Sequence, residues 1–272
     1  MKEFENIVIG SSAVPSLIIT VILMLAIPVF LFIYWRKNHK QQTKISYLIA
    51  GAVGFIVSAR VLELGVHYFC ILSDNPVSGF INGNTVAYVL YGIIMAGVFE
   101  ECGRYIILKY IMKNDRTSEN AVLYGIGHGG IEILAVVLPA MITYLAVAVL
   151  FSAGNIENAL STLNITEETA AAALPAVHAA AVFDFGTVVL SVLERIIAMF
   201  LHIGLTVIVY YGVVNARKSF LPMAIILHML ADTFAALYQR SAVPLWTVEV
   251  WAALWAAVII FIAVCVSRDG SR

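Results

Sequence analysis

A chain of 272 residues that is 61% hydrophobic and 12% charged, with a mean hydropathy of +0.94, cannot cover itself as a soluble domain, which runs nearer half apolar and a quarter charged. With 18 Gly, 7 Pro and 3 Cys the chain is no collagen, disordered tail or disulfide scaffold, and a net charge of −1 provides no basic field for nucleic acid. An integral membrane protein remains. Cys70, Cys102 and Cys265 lie far apart without metal or redox spacing and read as small hydrophobes.

A spanning helix takes ~20 mostly apolar residues, and seven segments qualify: 13–35, 45–72, 85–112, 120–151, 183–214, 220–239 and 245–266. The basic cluster Arg36, Lys37, Lys40 and Lys44 follows the first apolar run instead of preceding it, which marks a retained anchor with its N-terminus outside. Alternating from there, the cytoplasmic stretches also hold Lys109, Lys113, Arg116, Arg217, Lys218, Arg268 and Arg272, so 11 of the 16 Lys and Arg are inside. Lys2 and Arg240 are outside, and Arg60, Arg104 and Arg195 fall within spans. This charge bias sets orientation. The expected fold is an all-α polytopic membrane protein with about seven transmembrane helices, N-terminus outside and C-terminus cytoplasmic, forming one membrane domain over 1–272.

The long connection 152–182 is expected outside. Asn164 followed by Glu167 reads as a capping box, so a surface helix is expected over about 165–181, with His178 solvated on it.

Ionisable groups at bilayer depth cost several kcal/mol unless paired or hydrated, and each calls for an account. The second span carries Arg60, Glu63 and His67, and the third Glu100, Glu101 and Arg104. The fourth carries His128 and Glu132, the fifth Asp184, Glu194, Arg195 and His202, and the sixth His228 and Asp232. Arg104 is spaced to clamp either Glu100 or Glu101 on one helix face. His128 with Glu132, and His228 with Asp232, are each one turn apart, where a carboxylate can orient an imidazole. Counted from the cytoplasmic ends at ~1.5 Å per residue, Glu100, Glu132, His202, Asp232, Arg104, His128 and His228 all fall ~13–20 Å deep in a ~30 Å core. Four helices thus bring carboxylates and imidazoles to one layer, and Gly97, Gly103, Gly125, Gly127, Gly129 and Gly130 beside them suit close helix packing.

The string Phe99-Glu100-Glu101-Cys102-Gly103-Arg104-Tyr105 resembles the twin-glutamate motif of the CAAX-prenyl-protease and bacteriocin-processing (CPBP) superfamily of intramembrane proteases. Tyr124 with His128 is similar to its aromatic-x-x-x-His motif, and His228 with Asp232 to its His-x-x-x-Asn/Asp motif. The likeness covers about 85–240 and is nearest to the YhfC branch of intramembrane metalloproteases, with PrsW-type proteases more distant. The arginine follows the glutamate pair after two residues, where the superfamily pattern usually has three.

The resemblance implies an intramembrane endopeptidase of a bacterial cytoplasmic membrane, acting on a membrane-embedded or membrane-associated peptide, with membrane lipid as its other partner. Glu100 would be the base that takes a proton from water, with Glu101 held by Arg104 or assisting. His128 and His228 would position the water or donate to the oxyanion, oriented by Glu132 and Asp232 respectively. A second chemistry uses the same layer: His128, His202 and His228 as three ligands to Zn²⁺, with Glu100 as the base. No His-Glu-x-x-His helix is present, which excludes a standard zincin. Two other classes stay open: a proton-coupled transporter lined by the same groups, and a non-catalytic scaffold or immunity protein. Outside the layer the expectations are structural: Arg60 with Glu63 and Glu194 with Arg195 as ion pairs, His67 interfacial and Asp184 solvated.

Overall fold

The computed structural model describes residues 2–114 and 116–270. Arg272, counted above in the cytoplasmic charge bias, lies outside the described residues. Among these residues every regular element is helical. Seven helices are long and apolar enough to cross a membrane: α1 Ala13–Asn38, α2 Ile45–Leu72, α3 Thr85–Ile111, α4 Ser118–Ser152, α5 Phe185–Val214, α6 Phe220–Gln239 and α7 Leu245–Arg268. Each coincides with an expected span to within a few residues, because a run of apolar side chains can satisfy its backbone in lipid only as a helix.

Four stretches inside these helices are wound as π-helix: Ile56–Glu63 and Tyr68–Leu72 in α2, Ile107–Ile111 in α3 and Ile133–Val137 in α4. The wider turn shifts the side chains that follow. Glu63 ends the first stretch and meets His67 Nε2 at 3.2 Å, while Arg60 is exposed; the expected Arg60–Glu63 pair gives way to Glu63–His67. His67 Nδ1 lies 2.7 Å from the Tyr91 hydroxyl on α3.

Contacts divide the chain into two compact units. One comprises the residues up to Ile27 together with Ile133–Arg195, and its core is Phe4, Leu17, Val147, Phe151, Leu160 and Val177. The 152–182 connection, which belongs to this unit, holds two short helices, Ile156–Thr162 and Ala170–Ala181. Asn164 does not start the second one. Its φ of +53° is left-handed, whereas a helix N-cap needs extended backbone. Instead Thr166 N donates to Thr169 Oγ1 at 2.9 Å and Thr169 N to Thr166 Oγ1 at 3.4 Å, closing a reciprocal turn just ahead of the helix, whose N-cap Thr169 makes no side-chain cap bond. His178 is exposed.

The other unit comprises Pro28–Glu132 and the residues from Ile196 onward. Its most extensive packing is of Ile45–Phe55 in α2 against Ser118–Glu132 in α4, and of α3 against α6. Glycine makes both possible. A Cβ on Gly127 would stand 2.0 Å from the Leu48 carbonyl oxygen, and one on Gly51 would stand 2.1 Å from that of Tyr124. These are backbone-to-backbone approaches that no side chain can relieve. On α3, a Cβ at Gly97 would stand 3.0 Å from Ile225 O, one turn before Glu101, so α6 lies close enough to deliver His228.

Candidate active site

Every ionisable residue singled out for the layer on α3, α4, α5 and α6 lies in this second unit. Glu101, Arg104 and His128 are fully buried, and Glu100, His202 and His228 are nearly so. Glu132 and Asp232 stand at the edge, with side chains 21% and 38% exposed.

Arg104 is the hub. Its Nη1 donates to Glu101 Oε1, and its Nη2 donates to His202 Nδ1 at 3.3 Å. A guanidinium has only donors, so His202 Nδ1 accepts and its proton sits on Nε2. Nε2 then donates to Glu132 Oε2 at 2.6 Å. On the other side Glu101 Oε1 also accepts from His228 Nδ1 at 2.8 Å, and His228 Nε2 lies 3.3 Å from Asp232 Oδ2. The chain of contacts runs Asp232, His228, Glu101, Arg104, His202, Glu132.

Glu100 and His128 form the adjoining pair, with Oε2 and Nε2 2.9 Å apart. Phe55 meets the His128 ring edge-on at 5.2 Å and Tyr124 stacks at 6.2 Å. The aromatic one turn before the histidine is therefore a wall, and its hydroxyl has no hydrogen-bond partner among the described residues. His202 approaches His128 to 5.0 Å between ring centres and lies 5.7 Å from His228. Gly129 permits this, since a Cβ there would stand 3.3 Å from His202 Cδ2.

Of the two carboxylates that spacing allowed, Arg104 is on Glu101, the partner the resemblance implied; two other expectations shift. Glu132, expected to orient His128, orients His202, because α5 inserts that imidazole while His128 turns to Glu100. Among the three histidines, His228 has both nitrogens facing carboxylates, and the residues whose ligand atoms converge within 4.8 Å are Glu100, His128 and His202. Outside the layer, Glu194 and Arg195 pair with each other on α5.

The sequence model of the YhfC intramembrane metalloprotease family matches residues 23–252. The chain belongs to the YhfC family. It is 31% identical over 254 residues to the uncharacterized membrane protein YhfC of Bacillus subtilis (strain 168), covering 93% of this chain and 96% of that one. No solved structure matches it. With a membrane-protein relative and seven apolar helices, the chain is an integral membrane protein.

A metalloprotease family implies a metal, and the residues present fit one. Two histidines and a glutamate are an established donor set for catalytic zinc, which leaves a fourth position open. Bonds of about 2.0–2.1 Å in a tetrahedron put donor atoms ~3.3 Å apart. Here Glu100 Oε2 stands 2.9 Å from His128 Nε2 and 3.9 Å from His202 Nδ1, values that straddle that spacing. His128 Nδ1 is buried without a hydrogen-bond partner, so a proton placed there leaves the Nε2 lone pair aimed at the group.

Proposed function

We propose that this YhfC-family protein is an intramembrane endopeptidase that hydrolyses a membrane-embedded or membrane-associated peptide with a metal held by Glu100, His128 and His202. The observation that carries this reading is the convergence of those three buried side chains, supported by the description of the family. Zinc suits the donor set, and when bound it would polarise the scissile carbonyl and make water nucleophilic at neutral pH.

The chain's residues do the rest. Glu132 fixes the His202 ring through Nε2, as a ligand's second nitrogen ordinarily is fixed. Glu101 and Asp232 bracket His228 and hold its ring beside the group, where an N–H released from Asp232 would donate to the developing oxyanion or the leaving amide nitrogen. Apolar walls such as Phe55 exclude bulk water and strengthen each of these interactions. The twin-glutamate and His-x-x-x-Asp strings support kinship with the CPBP and PrsW-type proteases, and the basic 36–44 and 215–219 loops support a cytoplasmic placement for those ends.

One observation favours a second chemistry. Glu100 and His128 at 2.9 Å also form a base and its partner, able to take the proton from water without a metal. Cleavage of a transmembrane peptide by the detergent-purified protein separates the two. Metal-dependent hydrolysis is lost on chelation and restored by Zn²⁺, whereas cleavage indifferent to chelators assigns Glu100 as the base. Full cleavage by a folded Glu100→Gln variant removes both.

A further inference from the structure

The buried guanidinium of Arg104 is placed on the wrong side of a metal site. Its Nη2 occupies the lone pair of His202 Nδ1, and that nitrogen is the one facing Glu100 Oε2 at 3.9 Å. A metal ligated by His202 Nδ1 needs the same lone pair, and a cation entering there meets a fixed positive charge at hydrogen-bonding range. Arginine and metal are therefore alternatives at one atom.

Two further atoms say where the arginine goes. Arg104 Nε and Glu101 Oε2 are both buried without a hydrogen-bond partner among the described residues. The present contact between the two side chains uses Nη1 and Oε1 alone. A guanidinium matches a carboxylate best as a two-bond fork, and the Nε–Nη2 edge is such a fork. Turning that edge onto Glu101 satisfies Nε and Oε2 together. It also withdraws Nη2 from His202, so releasing the imidazole and completing the ion pair are one rotation.

We propose that Arg104 is a latch on the metal site: it holds His202 Nδ1 until a divalent cation takes that nitrogen, and then closes as a two-bond fork on Glu101. The proposal rests on the metal reading above. Arg104 is accordingly a positioning residue that tunes metal affinity, in addition to its pairing with Glu101. A resting site closed in this way resists adventitious cations and exposes no idle nucleophile beside lipid.

The test is a Co²⁺ titration of the full-length protein in detergent, followed by the visible absorption of the bound ion. The double variant Glu101→Gln/Arg104→Gln removes the latch and its counter-charge together, leaving net charge unchanged. It should bind Co²⁺ about tenfold or more tightly than wild type, the equilibrium equivalent of one hydrogen bond to a charged group. Arg104→Lys keeps the charge beside Glu101 but has no fork to span both partners. It should also tighten binding, and it serves where the double variant does not fold. Affinity equal to or weaker than wild type in the folded variants overturns the latch, provided His128→Ala abolishes binding. Wild-type Co²⁺ binding that His128→Ala leaves untouched overturns the metal reading and the latch with it.

Discussion

In the unit that ends its first segment at Ile27 and runs again from Ile133 to Arg195, the buried polar side chains among the described residues are hydroxyls: Ser16 and Thr20. Thr20 Oγ1 donates to the Ser16 carbonyl one turn back, so its own helix satisfies it. In the unit built from Pro28–Glu132 and the residues after Ile196, the buried groups include Glu63, Glu100, Glu101, Arg104, His128, His202 and His228. Most of these find partners on another helix. A hydroxyl bonded to its own backbone places no demand on neighbouring helices, while a carboxylate shared between Arg104 of α3 and His228 of α6 fixes both. One unit is therefore held by packing, and the other by packing under electrostatic constraint.

The contrast is broken most severely at the site. Glu100→Gln, His128→Ala and His202→Ala should each lower peptide cleavage by at least ~10³-fold, with double variants scarcely worse than singles, because the group acts as a unit. Phe151→Ala belongs to the other unit, where Phe151 is buried against Phe4 at 6.3 Å between ring centres. It should lower thermal stability by about 3–5 kcal/mol while the folded fraction turns over normally. Single-turnover cleavage normalised to folded protein measures both. Comparable loss of turnover in Phe151→Ala would erase the distinction.

Arg104 gives the next largest effect. Arg104→Ala strands Glu101 without its cation and should cost about 3–5 kcal/mol in folding stability. Thr20→Val in the first unit removes a hydroxyl that bonds only within its own helix and should cost about 1 kcal/mol or less. Thermal melts in one detergent compare them, and a wild-type melting temperature in Arg104→Ala would mean that the site is not held by charge.

Within the second unit the glycines sharpen the same point. Gly127→Ala forces Leu48 and α4 apart at a 2.0 Å approach and should cost about 3 kcal/mol, with loss of activity because His128 is the adjacent residue. Gly65→Ala meets nothing within 4 Å and should be neutral, or stabilise α2 by about 0.4–1 kcal/mol. Equal effects from the two would deny that α2 and α4 need contact between bare backbones.

These pairings also mark where sequence reading stops. The spans were legible because hydropathy and length alone decide whether a segment can cross lipid. The His228–Asp232 contact was legible as well, since both partners lie one turn apart on one helix. Glu132 with His202, Glu101 with His228 and Glu100 with His128 join different helices. Spacing says which residues share a face, but not which helix that face meets. Spacing also leaves choices open within one helix: Glu63 lies one turn from both Arg60 and His67, and it meets His67. Gly51 was a missed signal, a glycine of α2 whose absent side chain admits the Tyr124 backbone of α4.

The smallest effect belongs to the first unit and tests its charged rim. Asp184 was expected to be merely solvated, and it is exposed, but its Oδ1 accepts from both the backbone N–H and the hydroxyl of Thr187 at 2.8 Å. It therefore caps α5, and the Asp-x-x-Thr spacing carried that signal. The two bonds from Thr187 hold its carboxyl below the ordinary carboxylate range. A depressed folded value means that the cap contributes fully above the unfolded pKa of about 3.9 and fades as pH falls through the folded value. Asp184→Ala should thus lower the melting temperature slightly at neutral pH, and the gap to wild type should close in acid. Asp184→Asn keeps an acceptor oxygen and should match wild type in acid, with only a small deficit at neutral pH from the lost charge at the positive end of the α5 dipole. Cleavage should not change in either variant, since the bonds of this cap stay within the first turn of α5. A neutral-pH melting temperature in Asp184→Ala equal to wild type would show that the cap is idle and the rim contributes nothing to holding this unit.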